Sequence, residues 1–159
     1  MSSQDTPLNR KKDTMNRKDH TTELFKQQLN CAQSVFTAYR QTETMDEESA
    51  LKLATVFGAG VSATGSSLCG AVTGALMAIS MKHGRKDIES VNAKIKTYEL
   101  GRRFMAEFSK RLGSCDCEKI IGMNIGTPEN MRKAQEMNLF ATKCLNAVKT
   151  AADILETML

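Results

Sequence analysis

The chain has 159 residues and a net charge of +4, enough for one domain with an adequate core and too mild a charge to require or exclude a polyanionic partner. Apolar residues make up 41% and charged residues 25%, which excludes a largely disordered chain. Six Phe, two Tyr and no Trp exclude a nucleic-acid reader built on stacked aromatics, and two Pro with ten Gly argue against a turn-rich β-barrel.

Residues 1–19 are polar, with five Lys or Arg against three Asp, and read as a disordered leader before a domain over 20–159. Met15 offers a second start within it. The leader has no apolar run of the kind a secretory signal needs, which predicts a cytoplasmic, reducing setting. From a cap at Thr21 or Thr22, Leu24, Phe25, Leu29, Ala32, Val35, Phe36 and Tyr39 follow helical spacing and predict one helix carrying Cys31. Thr44 and Glu47 read as a capping box opening a second helix from about Met45 to Phe57, ended by Gly58 and Gly60.

The stretch Gly58-Ala59-Gly60-Val61-Ser62-Ala63-Thr64-Gly65-Ser66-Ser67 is small, polar and glycine-rich. Ser66 or Ser67 caps a third predicted helix, Leu68 to Lys82, stopped at Gly84. No charge falls between Lys52 and Lys82, but the glycine cluster interrupts that run and Leu68–Met81 is too short to span a bilayer. A helix apolar on nearly all sides is then the buried centre of a bundle. Asp87–Leu112 predicts a fourth helix with a buried stripe of Ile88, Val91, Ile95, Tyr98, Met105, Phe108 and Leu112, and Gly101 on that stripe marks a close crossing. Ser114 to Gly122 reads as a cap, a short helix and a glycine stop. Thr127-Pro128-Glu129 starts a last helix that reaches nearly to Leu159, with Phe140, Cys144, Ala147, Val148, Ala151, Ile154, Leu155 and Met158 as its stripe. No segment alternates with period two. The expected fold is therefore all-α: a single-domain bundle of about five helices plus a short one, with the glycine-rich loop before the central helix.

Two histidines, His20 and His83, leave little room for a His-rich metal site or a Ser-His-Asp triad. Five cysteines in a reducing setting favour redox, catalytic or metal roles over structural disulfides. Cys69 leads, because a first-turn position after the glycine-rich loop exposes it to free N–H groups and the positive end of the helix dipole, which favour thiolate. Cys31 and Cys144 are expected on apolar helix faces, farther from helix starts. Cys115 and Cys117 form C-x-C, which is neither the C-x-x-C of thioredoxin-like proteins nor a zinc knuckle. Four cysteine-bearing segments, all helical, are able to meet in a bundle interior and give thiolates to one redox centre, metal or iron–sulfur group. Gly58, Gly60 and Gly65 offer a second reading as a phosphate cradle, though they match neither G-x-G-x-x-G nor a Walker A. Gly70 and Gly74 form a small-xxx-small pair that admits another helix, a loop or a cofactor close to the backbone.

These segments resemble the C_GCAxxG_C_C family of redox-active proteins. Asn30-Cys31-Ala32-Gln33-Ser34-Val35 is similar to its opening motif, and Cys69-Gly70-Ala71-Val72-Thr73-Gly74 to its central C-G-A-x-x-G signature. Phe104 to Gly122, with Cys117 before Ile120-Ile121-Gly122, resembles the third block, and Asn138-Leu139-Phe140 through Cys144 to Leu155 the fourth. The resemblance covers about residues 24–159 and implies that Cys31, Cys69, Cys117 and Cys144 are the family cysteines, with Cys115 extra. It implies a prokaryotic, redox-active protein. No C-x-x-C-H is present, so the haem attachment of some relatives does not carry over.

The expectation is a small redox-active or electron-transfer protein working through Cys69, Cys31, Cys117 and Cys144, or through a metal these four bind, with a redox partner protein and no nucleic acid. A homodimer is compatible with it. The competing expectation is a non-redox binding module, with a structural metal site or a small-anion pocket under the Gly58–Gly65 loop; Gly58, Gly60, Gly65, Gly70 and Gly74 are the candidate cofactor-binding positions. The sequence does not decide whether the protein is an enzyme.

Overall fold

A computed structural model describes residues 15–159 of the chain, so most of the expected leader lies outside the described residues. Asn16 opens the first helix, α1 (Arg17–Lys26), with its side chain accepting from the Asp19 amide at 2.8 Å. Arg17, Lys18 and Asp19, at the end of the expected leader, are helical. Lys18 pairs with Asp153, and the Arg17 guanidinium stands 5.8 Å from the centre of the Tyr39 ring.

The single helix expected up to Tyr39 is two. Gln27 ends α1, Gln28 takes φ 66°, and α2 (Cys31–Tyr39) starts again at Asn30. The restart is a reciprocal cap: Asn30 Oδ1 accepts from the Gln33 amide at 2.9 Å, and Gln33 Oε1 accepts from the Asn30 amide at 3.2 Å. Helix α3 (Glu47–Ala54) is capped by Asp46 rather than Thr44, and tightens into a 3₁₀ turn, Thr55–Phe57, that ends at Gly58. The nearer carboxylate wins because it reaches the Ser49 amide at 2.8 Å, whereas the Thr44 hydroxyl turns back to the Gln41 carbonyl.

The central helix α4 (Gly70–His83) is capped at Cys69 and stops at Gly84. Its residues from Gly70 to Ala75, with Ala78 and Ile79, are buried, as a helix apolar all round requires. It packs on α2, on α5 (Val91–Leu112) and on α8 (Leu145–Met158). Gly70 and Gly74 make the α2 crossing: a Cβ at Gly74 would stand 2.7 Å from the Ala32 carbonyl oxygen, and one at Gly70 2.9 Å from the Ala32 amide. Phe36, Phe104, Phe108, Ile79, Ile154 and Leu155 fill the core behind it, with the Phe104 and Phe108 rings stacked at 5.8 Å.

Of the seven residues of the stripe expected over 87–112, four are exposed, Met105 and Leu112 are half-buried and Phe108 alone is buried. Ile88, Val91, Ile95 and Tyr98 are 84%, 51%, 51% and 58% exposed, while Phe104 and Phe108 are fully buried. The cause is length. Helix α5 is about 33 Å long against about 21 Å for α4, and the Thr97 hydroxyl donates to the His83 carbonyl at the very end of α4. Ile88, Val91 and Ile95, all before Thr97, therefore overhang the bundle, while the Tyr98 ring faces the Lys94 ammonium at 5.7 Å. Gly101 does mark the close crossing, 3.3 Å from Leu76 for an added Cβ.

Helix α6 (Cys117–Ile121) lies between Gly113 and Gly122, both left-handed. Helix α7 (Pro128–Glu136) starts at the Thr127 cap with Pro128. The last helix is interrupted: Asn138 takes φ 57°, a π-helical turn spans Phe140–Cys144, and α8 completes the chain. Among the described residues there is no strand, only an isolated bridge between Leu68 and Asp116, and no helix is long and apolar enough to cross a membrane.

Candidate functional site

Each of the four cysteines singled out by sequence sits at an irregularity of the helical frame. Cys31 is the first residue of α2, not a mid-helix residue as expected. Cys69 is the N-cap residue of α4, one step before the first turn, because neither Ser66 nor Ser67 caps that helix. Cys117 is the first residue of α6, and Cys144 closes the π turn before α8. A π turn widens the helix by a residue, a departure common at functional sites, and here it puts Phe140, Ala141 and Cys144 on one lining.

Two backbone hydrogen bonds clamp the Cys69 and Cys117 segments together. The Cys69 amide donates to the Cys115 carbonyl at 2.8 Å, and the Cys117 amide to the Ser67 carbonyl at 2.8 Å. The Asn30 side chain, which caps the Cys31 helix, also donates to the Thr55 carbonyl at 2.9 Å and packs where a Cβ on Gly58 would fall.

As a result Cys31, Cys69, Cys117 and Cys144 line one cavity of about 630 Å³. All four are buried, at 9%, 4%, 4% and 6% exposure. Cys115 does not join them: its thiol donates to the Met105 carbonyl at 3.3 Å, toward α5. The C-x-C pair is split between two environments.

The four thiols are electrostatically unequal. Cys31 is hydrogen-bonded to Cys144 and Cys69, and these bonds, with burial, hold its proton well above the ordinary thiol range. Cys69 moves the other way: the bond from Cys31 outweighs burial, helped by the Ala71 and Val72 amides at the start of α4, and lowers its pKa. Burial pushes Cys117 up to about 12, reinforced by the charge of the neighbouring Cys69 thiolate. Burial also raises Cys115. A helix N-terminus is therefore not sufficient to acidify a thiol here, since Cys31 has one and is raised.

The glycine positions have an account in packing. Gly60 and Gly65 take φ 74° and 69°, and a Cβ on Gly60 would stand 2.8 Å from the Gly65 backbone. A Cβ on Gly65 would meet the Ile125 amide at 2.7 Å. The loop is closed on itself and on residues 125–126, and among the five glycines only Gly70 borders the cavity. Sequence reading missed the backbone between them. Ala59, Gly60, Val61, Ser62 and Ala63 run consecutively at φ 53–74°, a left-handed turn held by the Ser62 amide on the Val56 carbonyl and the Gly65 amide on the Ala59 carbonyl. Nothing in the composition announces such a turn, since L-residues rarely adopt it.

Among the described residues no three His, Cys, Asp or Glu side chains are arranged to hold a metal ion. The sequence reading also missed the cavity walls, Phe25, Leu29, Met131 and Phe140, which it treated as ordinary stripe residues or did not single out.

No curated protein matches the chain, and no solved structure does. A family model described as "Putative redox-active protein (C_GCAxxG_C_C)" matches residues 29–158, a span that holds all four cavity cysteines together with the bridge and the π turn that place them. With four-fifths of its length inside that match, the chain belongs to the C_GCAxxG_C_C family.

Proposed function

We propose that the chain is a dithiol–disulfide redox protein in which Cys69 is the attacking thiolate and Cys31 the resolving thiol. The observation that supports this reading is that Cys31 and Cys69 line the same cavity as neighbours, where the proximity of Cys31 lowers the pKa of Cys69 while that of Cys31 is raised. Nucleophilic attack needs a thiolate, and resolution needs a second sulfur within reach that keeps its proton until the first bond has formed. Cys69 and Cys31 have those properties. Oxidation joins the two sulfurs, releasing two electrons and two protons to the oxidant, and reduction reverses it. In this reading Cys144, a neighbour of Cys31 on the same lining, receives the disulfide from it by exchange.

The test is oxidation of the fully reduced protein with diamide, followed by digestion and mass spectrometry. A Cys31–Cys69 cross-linked peptide is expected as the main product. A main product joining Cys117 to Cys144, with Cys31 and Cys69 still free, would overturn the assignment, as would the absence of any intramolecular disulfide.

A further inference from the structure

The cavity is graded from mouth to floor. Lys26, Gln28, Gln135 and Asn138 are exposed at its rim, Phe25, Leu29, Met131 and Phe140 are half-buried along its walls, and the four thiols are buried at its floor. Its volume of about 630 Å³ lies in the range of small-molecule sites, which are apolar with a few placed polar groups. Lys26 is the single charged side chain on the lining among the described residues, and its ion pair with Glu23 is solvent-exposed and readily exchanged.

Resting on the dithiol reading above, we propose that the oxidising partner of this site is a small organic disulfide with an apolar body and a polar outer end, rather than the disulfide of another protein. The recess decides between them. None of the four cysteines is more than 9% exposed, so a cystine held on a protein surface has no approach to Cys69 past the walls. A narrow ligand does. Its aliphatic arm lies against Phe25, Leu29, Met131 and Phe140, its outer end meets the amides and Lys26 at the rim, and its sulfurs reach the floor.

The exchange balances. Cys69 thiolate attacks one sulfur of R–S–S–R, the mixed disulfide Cys69 Sγ–S–R forms as the S–S bond of the ligand breaks, and R–S⁻ leaves and takes the proton that Cys69 gave up. Cys31 then loses its proton to solvent and attacks the Cys69 sulfur; the Cys31–Cys69 bond forms, and the second R–S⁻ leaves and is protonated. The protein dithiol is oxidised by two electrons, and one disulfide becomes two thiols.

The experiment uses the full reduced chain and two probes of matched sulfur chemistry, 3,3′-dithiodipropionate and 6,6′-dithiodihexanoate, with each rate divided by the same probe's rate with mercaptoethanol. Each buried methylene is worth roughly fourfold in affinity, so the longer probe is expected to form the Cys31–Cys69 bond more than tenfold faster. The disulfides of insulin should remain unreduced over the same interval. Met131→Gln, with folding checked by its melting curve, is expected to shrink the advantage of the longer probe at least threefold. Equal normalised rates for the two probes, or insulin reduced as fast as the longer one, would overturn the proposal while leaving the dithiol reading in place. Failure of diamide itself to join Cys31 and Cys69 would remove both.

Discussion

At Cys69 two local effects oppose each other. Burial favours the neutral thiol, while the hydrogen bond from Cys31 and the Ala71 and Val72 amides favour thiolate and prevail. Residue-resolved alkylation of the reduced protein across pH should therefore modify Cys69 ahead of Cys31 and Cys117. Modification of Cys117 or Cys31 ahead of Cys69 would contradict this order. A Cys31→Ala variant removes the largest stabilising contact, so its Cys69 should need a higher pH than in the wild type. Backbone strain is the other effect at this scale. Ser62 is exposed and sits at φ 54° within the left-handed turn. A non-glycine residue there costs ~1–2 kcal/mol, partly offset in Ser62→Gly by greater freedom of the unfolded chain. That variant should raise stability by about 1 kcal/mol in urea titration. A fall would mean the turn is not strained as its dihedrals indicate.

Between elements, the α2–α4 crossing sets how far Cys31 lies from Cys69. Gly74 holds it, since an added Cβ would press on the Ala32 carbonyl at 2.7 Å and backbone does not yield as a flexible side chain does. Gly74→Ala should lower stability by about 1–3 kcal/mol, the range for overpacking. It should also slow diamide formation of the Cys31–Cys69 bond, because the two helices must part to admit the methyl. Gly101→Ala is the control: its nearest neighbour is the Leu76 side chain at 3.3 Å, which can turn aside, and the effect there should be smaller.

For the whole molecule, buried thiols make alkaline pH destabilising. The pKa of Cys117 is pushed up to about 12 in the folded protein against an ordinary thiol value of 9.0. Between those values the unfolded chain has lost a proton that the folded chain retains, so stability falls as pH rises. Cys31 acts in the same direction, and so does Tyr39, whose hydroxyl is raised by burial and by Glu156. Cys69 acts oppositely: its lowered value contributes stability that is present above the ordinary thiol pKa and lost as pH falls through its own. The melting temperature should therefore drop from about pH 9 upward. Cys117→Ala should show a shallower alkaline slope, whatever its stability at neutral pH. An unchanged slope would show that Cys117 keeps no proton in that window.

Much of the frame was legible along the chain. The flat apolar distribution of residues 68–82 marks a buried central helix, Thr127-Pro128 marks a helix start, and the stripe from Cys144 to Leu155 is buried as its spacing requires. The break before Cys31 was legible too, in the Asn30-x-x-Gln33 cap, but the apolar spacing running through it masked the signal. Other features depend on what stands opposite. Ile88, Val91 and Ile95 have the periodicity of a buried stripe and lie exposed, because burial requires a neighbour and α4 ends at the level of Thr97. Likewise, local sequence identifies four cysteine-bearing helical segments and ranks Cys69 first, but it places Cys31 in mid-helix, where the structure has it at a helix start. That Cys31 keeps its proton at a helix start, that Cys115 turns toward α5, and that the rest share a walled cavity follow from contacts between segments distant in the chain. Periodicity is a property of one helix, whereas burial, hydrogen bonding between thiols and access to solvent are properties of the helices around it.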